Sequence, residues 1–340
     1  MTGRQNSVSA DGSQVPVLTQ TLESDCAWRS PSLADADWLV PLSGRAMDEL
    51  DVVALKLDTY DEAIESLRAE DFNLGAAAEV MEAVNQKLYQ GVGFAVLDRL
   101  PVDRWGMKSS KAISWLLTSM LGSVVPQKID GTRLYEVMDK GLKLGYGVRR
   151  SITSLEQDFH TDGGWLAQAP EIVTLACLRP ANAGGFSRVT SLATAHNEMR
   201  ERHPELLERL YRPFWWDRQA EHPQGEARSS QHPVFTWGDG KLTSRYYSDY
   251  IRKGFELAGE TLDSEGEAAL AAMKAIVDLP ENWFEFRLEQ GQIEFVNNYL
   301  QAHSRTAFED DNSRGGRYLL RLWSRRSGGI ALESSTETIE

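Results

Sequence analysis

The sequence holds only two cysteines in 340 residues, Cys26 and Cys177. That is too few for a disulfide framework or a cysteine-rich zinc site. Long apolar runs are missing as well. The least polar stretch, 112–125, is interrupted by Ser114, Thr118 and Ser119 and is too short to span a bilayer. Positive charge is scarce: 36 Lys+Arg stand against 50 Asp+Glu, a formal net charge of −14. This balance excludes nucleic acid as the main partner, because phosphate binding needs a basic face. It does not exclude an anionic small molecule, since a few arginines reverse the field locally. The first residues lack the apolar core of a signal peptide. Together these absences predict a soluble protein of the cytoplasm that acts on a small molecule, with a homo-oligomer left open.

What is present is an ordinary globular composition, 41% hydrophobic and 9% aromatic. One domain is expected over 15–329, between flexible tails at 1–14 and 330–340. Apolar residues recur at three-and-four spacing over 76–90 and 103–121, which predicts helices, with a short buried strand at 92–97 between them. From about Leu134 onward the pattern becomes strand-like. Short apolar runs fall at 132–138, 171–178, 186–190, 232–237, 242–247, 283–288, 292–297 and 317–323. Asp239-Gly240 is a two-residue hairpin signal. Helical inserts are expected at 192–211 and 264–278, the second opened by the capping box Ser264-x-x-Glu267. Cys177, inside an apolar run, reads as a small core residue. The fold class is mostly β with helical decoration: a jelly-roll core with an N-terminal helical layer.

Six histidines are available as ligands, and three begin a His-x-Asp/Glu triplet: His160, His196 and His203. Residues i and i+2 share a face only where the backbone is extended. His196 and His203 fall in or beside a helical stretch, where i and i+2 point about 200° apart. Only His160 and Asp162 sit in non-helical context, before Gly163-Gly164, where they can grip one ion. The plain alternative is a surface turn with Asp162 accepting backbone N–H bonds.

On an extended 317–323, Arg317, Leu319, Arg321 and Trp323 share one face, and Tyr318, Leu320 and Leu322 the other. The second set should pack on a hydrophobic layer and the first should face a cavity. Buried guanidinium groups need anionic partners, and their planar fork suits a carboxylate. That partner is a ligand or a protein carboxylate such as Glu294. Trp165 lines the substrate pocket or packs in the core. Trp215-Trp216 is expected in the core, Arg245 at a strand end with a solvated charge, and Glu309-Asp310-Asp311 in a solvated loop. Arg149-Arg150 reads as a surface pair, or as an entrance guard that attracts an anion.

Three segments occur in a recognisable order: Phe159-His160-Thr161-Asp162, then Asn297-Asn298 through His303-x-Arg305-Thr306-Ala307-Phe308, then Arg317-x-x-x-Arg321-Leu322-Trp323. This pattern, across 90–325, resembles the Fe(II)/2-oxoglutarate-dependent oxygenases of the taurine dioxygenase and clavaminate synthase type. The resemblance implies a double-stranded β-helix, a jelly-roll variant. It implies His160, Asp162 and His303 as iron ligands and Arg317 as anchor of the distal carboxylate of 2-oxoglutarate. Ser187, after Gly184-Gly185-Phe186, would supply a hydroxyl to the same co-substrate, although a hydroxyl on a strand end is its plain reading. Two imidazoles and one carboxylate leave positions open on iron for a 2-oxo acid and O2. The implied reaction hydroxylates an unactivated C–H of a small polar molecule and releases succinate and CO2. Arg321, on the same strand face as Arg317, points to an anionic group on that molecule as its partner. Asp162 argues against halogenation, because related halogenases carry a small residue there. A desaturase, cyclase or epimerase using the same chemistry is the alternative within enzymes. A non-catalytic jelly-roll metal- or ligand-binding protein is the alternative outside them.

Overall fold

The computed structural model describes residues 6–8, 14–310 and 315–326. The expected tails lie outside these residues, apart from 6–8 and 14. Eleven strands make the two main sheets: β1 (Leu39–Pro41), β2 (Phe94–Asp98), β3 (Ser123–Val125), β4 (Tyr135–Val137), β5 (Gln157–His160), β6 (Ile172–Arg179), β7 (Ser187–Ser191), β8 (Trp283–Phe286), β9 (Ile293–Asn297), β10 (Gln301–Arg305) and β11 (Tyr318–Arg325). The larger sheet runs β1-β2-β9-β6-β11-β3, with β4 also paired to β11, and the smaller runs β8-β7-β10-β5. Among these pairings only β1–β2 is parallel. The rest are antiparallel, and each joins strands far apart in the chain.

The strand faces follow from alternation. Tyr318, Leu320 and Leu322 of β11 and Ile293 and Phe295 of β9 join one cluster. That cluster includes buried residues of α1 (Gly44–Asp58), α2 (Gly75–Tyr89) and α3 (Val102–Ser119), which pack on this face of the larger sheet. On the opposite face Val296 packs with Phe94 and Val189, so the two sheets meet. Glu294, Arg321 and Trp323 lie on this inner face. The expected division of 317–323 into an apolar and a cavity face therefore holds.

Helix α1, not expected from the sequence, buries Ala46, Leu50, Val53, Ala54 and Leu57, a one-faced helical spacing. Ser43 caps it by accepting from the N–H of Ala46. Glu49 then accepts the N–H groups of Ala76 and Ala77, both at 3.0 Å, at the start of α2. Further along the chain come α4 (Leu192–Arg202), α5 (Ser248–Ala258) and α6 (Ser264–Val277). The expected cap of α6 is corrected. Asp263 is its N-cap and accepts from the N–H of Gly266 at 2.7 Å, so Ser264 is already helical. The Asp239-Gly240 hairpin forms, with φ of 49° and 73° at the two turn residues. Cys26 and Cys177 are buried and free. Among the described residues no helix is long and apolar enough to cross a membrane.

Strands β5 and β10, which carry the two histidines, escaped the sequence reading. All five residues of β10, Gln-Ala-His-Ser-Arg, are buried. A strand buried through polar side chains shows no apolar alternation.

Leu320 is fully buried between the larger sheet and the helices. Leu320→Ala should cost about 2–5 kcal/mol in urea unfolding. Leu142→Ala, at a position 48% exposed, should stay within about 0.5 kcal/mol of the parent.

Candidate metal and co-substrate site

The segment after β5 is held rigidly by distant residues. The N–H of Thr161 donates to the carbonyl of Tyr246 at 2.7 Å, and the N–H of Tyr246 donates to Thr161 Oγ1 at 3.0 Å. Asn298, at the turn between β9 and β10, accepts from the N–H of Asp162 at 2.8 Å. Its amide donates to the carbonyls of Asp162 and Pro170, both at 2.9 Å. Gly163 has φ +65°, and a Cβ there would lie 2.8 Å from Pro170. Only glycine fits this turn without strain. Arg245 corrects an expectation: it is buried, and its guanidinium donates to the carbonyls of Gly164, Leu166 and Ala167. It braces the loop rather than meeting solvent.

His303 of β10 pairs directly with His160 of β5 in register. Their rings stand 4.3 Å apart, and His160 Nε2 is 3.6 Å from Asp162 Oδ1. All three residues are buried, and one ligand atom of each lies within 4.8 Å of the others. A single ion with bonds of about 2.1 Å closes that span with small side-chain movements. His160 Nδ1 lies 2.8 Å from the carbonyl of Asp158. A carbonyl only accepts, so Nδ1 carries the proton and Nε2 presents a lone pair, which the Gln157 amide meets at 2.9 Å. Burial lowers the pKa of His303 to about 3 and keeps its imidazole neutral. Its Nδ1 has no partner among the described residues. Burial alone would raise the Asp162 carboxyl, but the Arg321 guanidinium beside it holds it well below the usual range. Two neutral imidazoles and one carboxylate are the donor set of a divalent first-row metal.

Arg321 reaches Asp162 Oδ2 at 3.1 Å, and Trp323 Nε1 donates to the same oxygen at 2.8 Å. Glu294 is therefore not its internal partner. A small cavity is lined by His160 and His303 together with Ser187, Glu294, Arg305, Arg317 and Arg321. Arg317 is buried, and its Nη1 has no partner among the described residues. Ser187 Oγ donates to Glu294 Oε2 at 3.0 Å. Burial raises the pKa of Glu294 to about 7, against the pull of Ser187 and Arg317. Arg305 was not singled out as a site residue. It lines the cavity, donates to the carbonyls of Thr153 and Leu155, and is pushed down to about 9 by burial and by Arg317. Its position two residues beyond His303 on one strand face was the available signal.

Trp165 is buried against Trp323 and Tyr250, in a neighbouring recess with Gln127 and Glu221 rather than in this cavity. Trp216 is core. His196, excluded above as a ligand, meets the Tyr211 hydroxyl at 2.7 Å, and burial lowers its pKa to about 4.

Two histidines and an aspartate within reach of one another are the donor set that non-haem iron oxygenases use, and Arg317, with its unpartnered Nη1, lines the same cavity as the histidines. Residues 59–323 match the model of the taurine catabolism dioxygenase TauD, TfdA family. FR-33289 synthase of Streptomyces rubellomurinus is 26% identical over 331 residues, 95% of this chain and 96% of that one. An asparagine oxygenase, solved with Fe(II), 3-hydroxyasparagine and succinate, shares the fold with a TM-score of 0.64 and 19% identity over 84% of this chain and 93% of that one. The non-heme iron oxygenase OrfP, solved with Fe and α-ketoglutaric acid, superposes with a TM-score of 0.62 and 15% identity over 85% and 94%. The chain belongs to the TauD/TfdA family and is an iron- and 2-oxoglutarate-dependent dioxygenase.

Glu294 sets a pH dependence whose sign is fixed. Its folded pKa, about 7, lies above the ordinary 4.5. As pH rises between these values the unfolded chain ionises while the folded one does not, so stability falls and levels off above pH 7. Glu294→Gln cannot ionise. It should be more stable than the parent at pH 8, by up to a few kcal/mol, with the gap shrinking towards pH 5. Urea midpoints across that range check this; a gap that stays constant overturns it.

Proposed function

We propose that this chain hydroxylates an unactivated C–H of a small polar, anionic molecule, using Fe(II), 2-oxoglutarate and O2 and releasing succinate and CO2. His160, Asp162 and His303 hold the iron, Arg317 and Ser187 hold 2-oxoglutarate, and Arg321 and Trp165 stand on the substrate side. The observation that carries this reading is one cavity with two features. It joins His160 and His303, whose ligand atoms lie with that of the buried Asp162 within 4.8 Å of one another, to the buried Arg317, whose Nη1 has no partner among the described residues. Iron and the 2-oxo acid supply the oxidising chemistry, and the protein supplies position. Arg317 offers its free nitrogen to a carboxylate, and Ser187 lies beside it. Arg321 and Trp323 hold Asp162 in place as an iron ligand, as outer partners of metal sites do. We read the two facing sheets as a double-stranded β-helix within one domain over 15–329, covered by α1–α3. We also assign the cytoplasm, in keeping with two free, buried cysteines. Desaturation or cyclisation through the same site remains the second outcome, because it depends on where the substrate carbon sits.

Anaerobic Fe(II) with 2-oxoglutarate should give a weak visible absorption band. His160→Ala and His303→Ala should abolish it, and His196→Ala should keep it. A normal band in His303→Ala removes that residue from the site. Arg317→Ala should weaken 2-oxoglutarate binding by about 10²-fold, read from the same band, and Arg317→Lys should recover only part, since an ammonium lacks the planar fork. Parent-like affinity in both variants would show Arg317 to be misassigned.

A further inference from the structure

Glu294 is fully buried near the start of β9, opposite Val96 of β2 and Leu175 of β6. It lines the cavity together with His160 of β5, His303 and Arg305 of β10, Arg321 of β11 and Arg317 just before that strand. Among the described residues that line this cavity, Glu294 is the one carboxyl. Cys177 of β6 and Asp310 lie near enough to Arg317 to act on its charge, and Asp310 accepts from the Arg317 N–H at 2.9 Å. Ser187 Oγ of β7 donates to Glu294 Oε2 at 3.0 Å. Glu294 Oε1 is buried with no partner among the described residues.

Two constraints act on any carboxylate that enters to meet Arg317. A serine hydroxyl has a single proton to donate. Ser187 has committed that proton to Glu294. An ionised Glu294 also places a like charge in the same small cavity, and two buried carboxylates that share a site do not both stay ionised without cost. Protonation of Glu294 removes both obstacles. Oε1, an acceptor with nothing to accept, becomes a donor, and the Ser187 hydroxyl no longer has an anion to serve. Burial already raises the Glu294 pKa to about 7, so the proton is available near neutrality at little cost. Arg305, pushed down to about 9 by burial, still carries most of its charge at pH 8.

We propose that Glu294 couples the binding of 2-oxoglutarate to the uptake of one proton, which makes co-substrate affinity fall as pH rises through neutrality. This rests on the function proposed above and adds a regulation of the same site. Glu294 takes the proton from solvent as the distal carboxylate meets Arg317, and returns it when that carboxylate leaves with succinate. The sign follows from linkage: the bound state holds more protons than the free one, so raising pH favours the free state.

The test titrates 2-oxoglutarate by calorimetry into the full chain loaded anaerobically with Fe(II), at pH 7.5 in two buffers of different ionisation enthalpy. The parent should take up about 0.7 proton per co-substrate bound, and its affinity should fall about 10-fold between pH 6 and pH 8. Glu294→Gln is neutral at every pH. It should take up less than about 0.2 proton and keep a flat affinity, so that it binds about 10-fold tighter than the parent at pH 8. A group that only supports the fold would instead change affinity equally at each pH. Ser187→Ala is the second variant. Loss of the hydroxyl that favours the ionised Glu294 should move the fall in affinity to higher pH. Absence of proton uptake by the parent overturns the proposal, and so does an uptake that survives in Glu294→Gln. Should Glu294→Gln not fold, an unmoved pH profile in Ser187→Ala overturns it. Arg317→Ala separates the two readings. Affinity lost in Arg317→Ala while the parent takes up no proton sinks this inference alone. Parent-like affinity in Arg317→Ala sinks the anchor of the proposed function, and the proton count on the parent then decides Glu294.

Discussion

The buried carboxylate of Asp162 is the constraint on which the rest of the site depends. An ionised carboxylate out of water is tolerated only when its charge and lone pairs are met. Here Arg321 and Trp323 reach it from β11, while Asn298 fixes its backbone from the turn between β9 and β10. Three segments far apart in sequence are tied together by one charged group. The same turn leads directly into β10, so the residue that fixes Asp162 also sets where His303 begins its pairing with His160.

The cavity beside this group has a charge unlike that of the whole chain. The chain carries a formal net charge of −14. Arg305, Arg317 and Arg321 nevertheless line one wall system with Glu294, whose pKa is raised to about 7 by burial. With Asp162 committed to Arg321, this leaves Arg305 and Arg317 facing a carboxyl that is half protonated near neutrality. Anionic co-substrate chemistry fits such a cavity, and global charge had no bearing on it. The low dielectric of the interior makes local charges decisive there.

The arginines also divide by task. Arg245 is used on loop carbonyls and Arg305 on the carbonyls of Thr153 and Leu155, so both brace backbone. Arg305, Arg317, Arg321 and Arg149 each keep one buried nitrogen without a partner among the described residues.

The sequence by itself determined what depends on local periodicity. The alternation of 317–323 separated Tyr318, Leu320 and Leu322 from Arg321 and Trp323, and β11 divides in that way. Non-helical context singled out His160 and Asp162 from two similar triplets, and these two meet His303 in the structure. The tertiary structure alone decided where polar residues are buried and what they meet. It made β5 and β10 strands, replaced the expected Glu294 partner of Arg321 with Asp162, and buried Arg149 and Arg245. The physical reason is one of range. Apolar burial repeats every two or three to four residues and can be read along the chain. Polar burial is set by hydrogen-bond partners that lie a hundred or more residues away and leave no periodic trace.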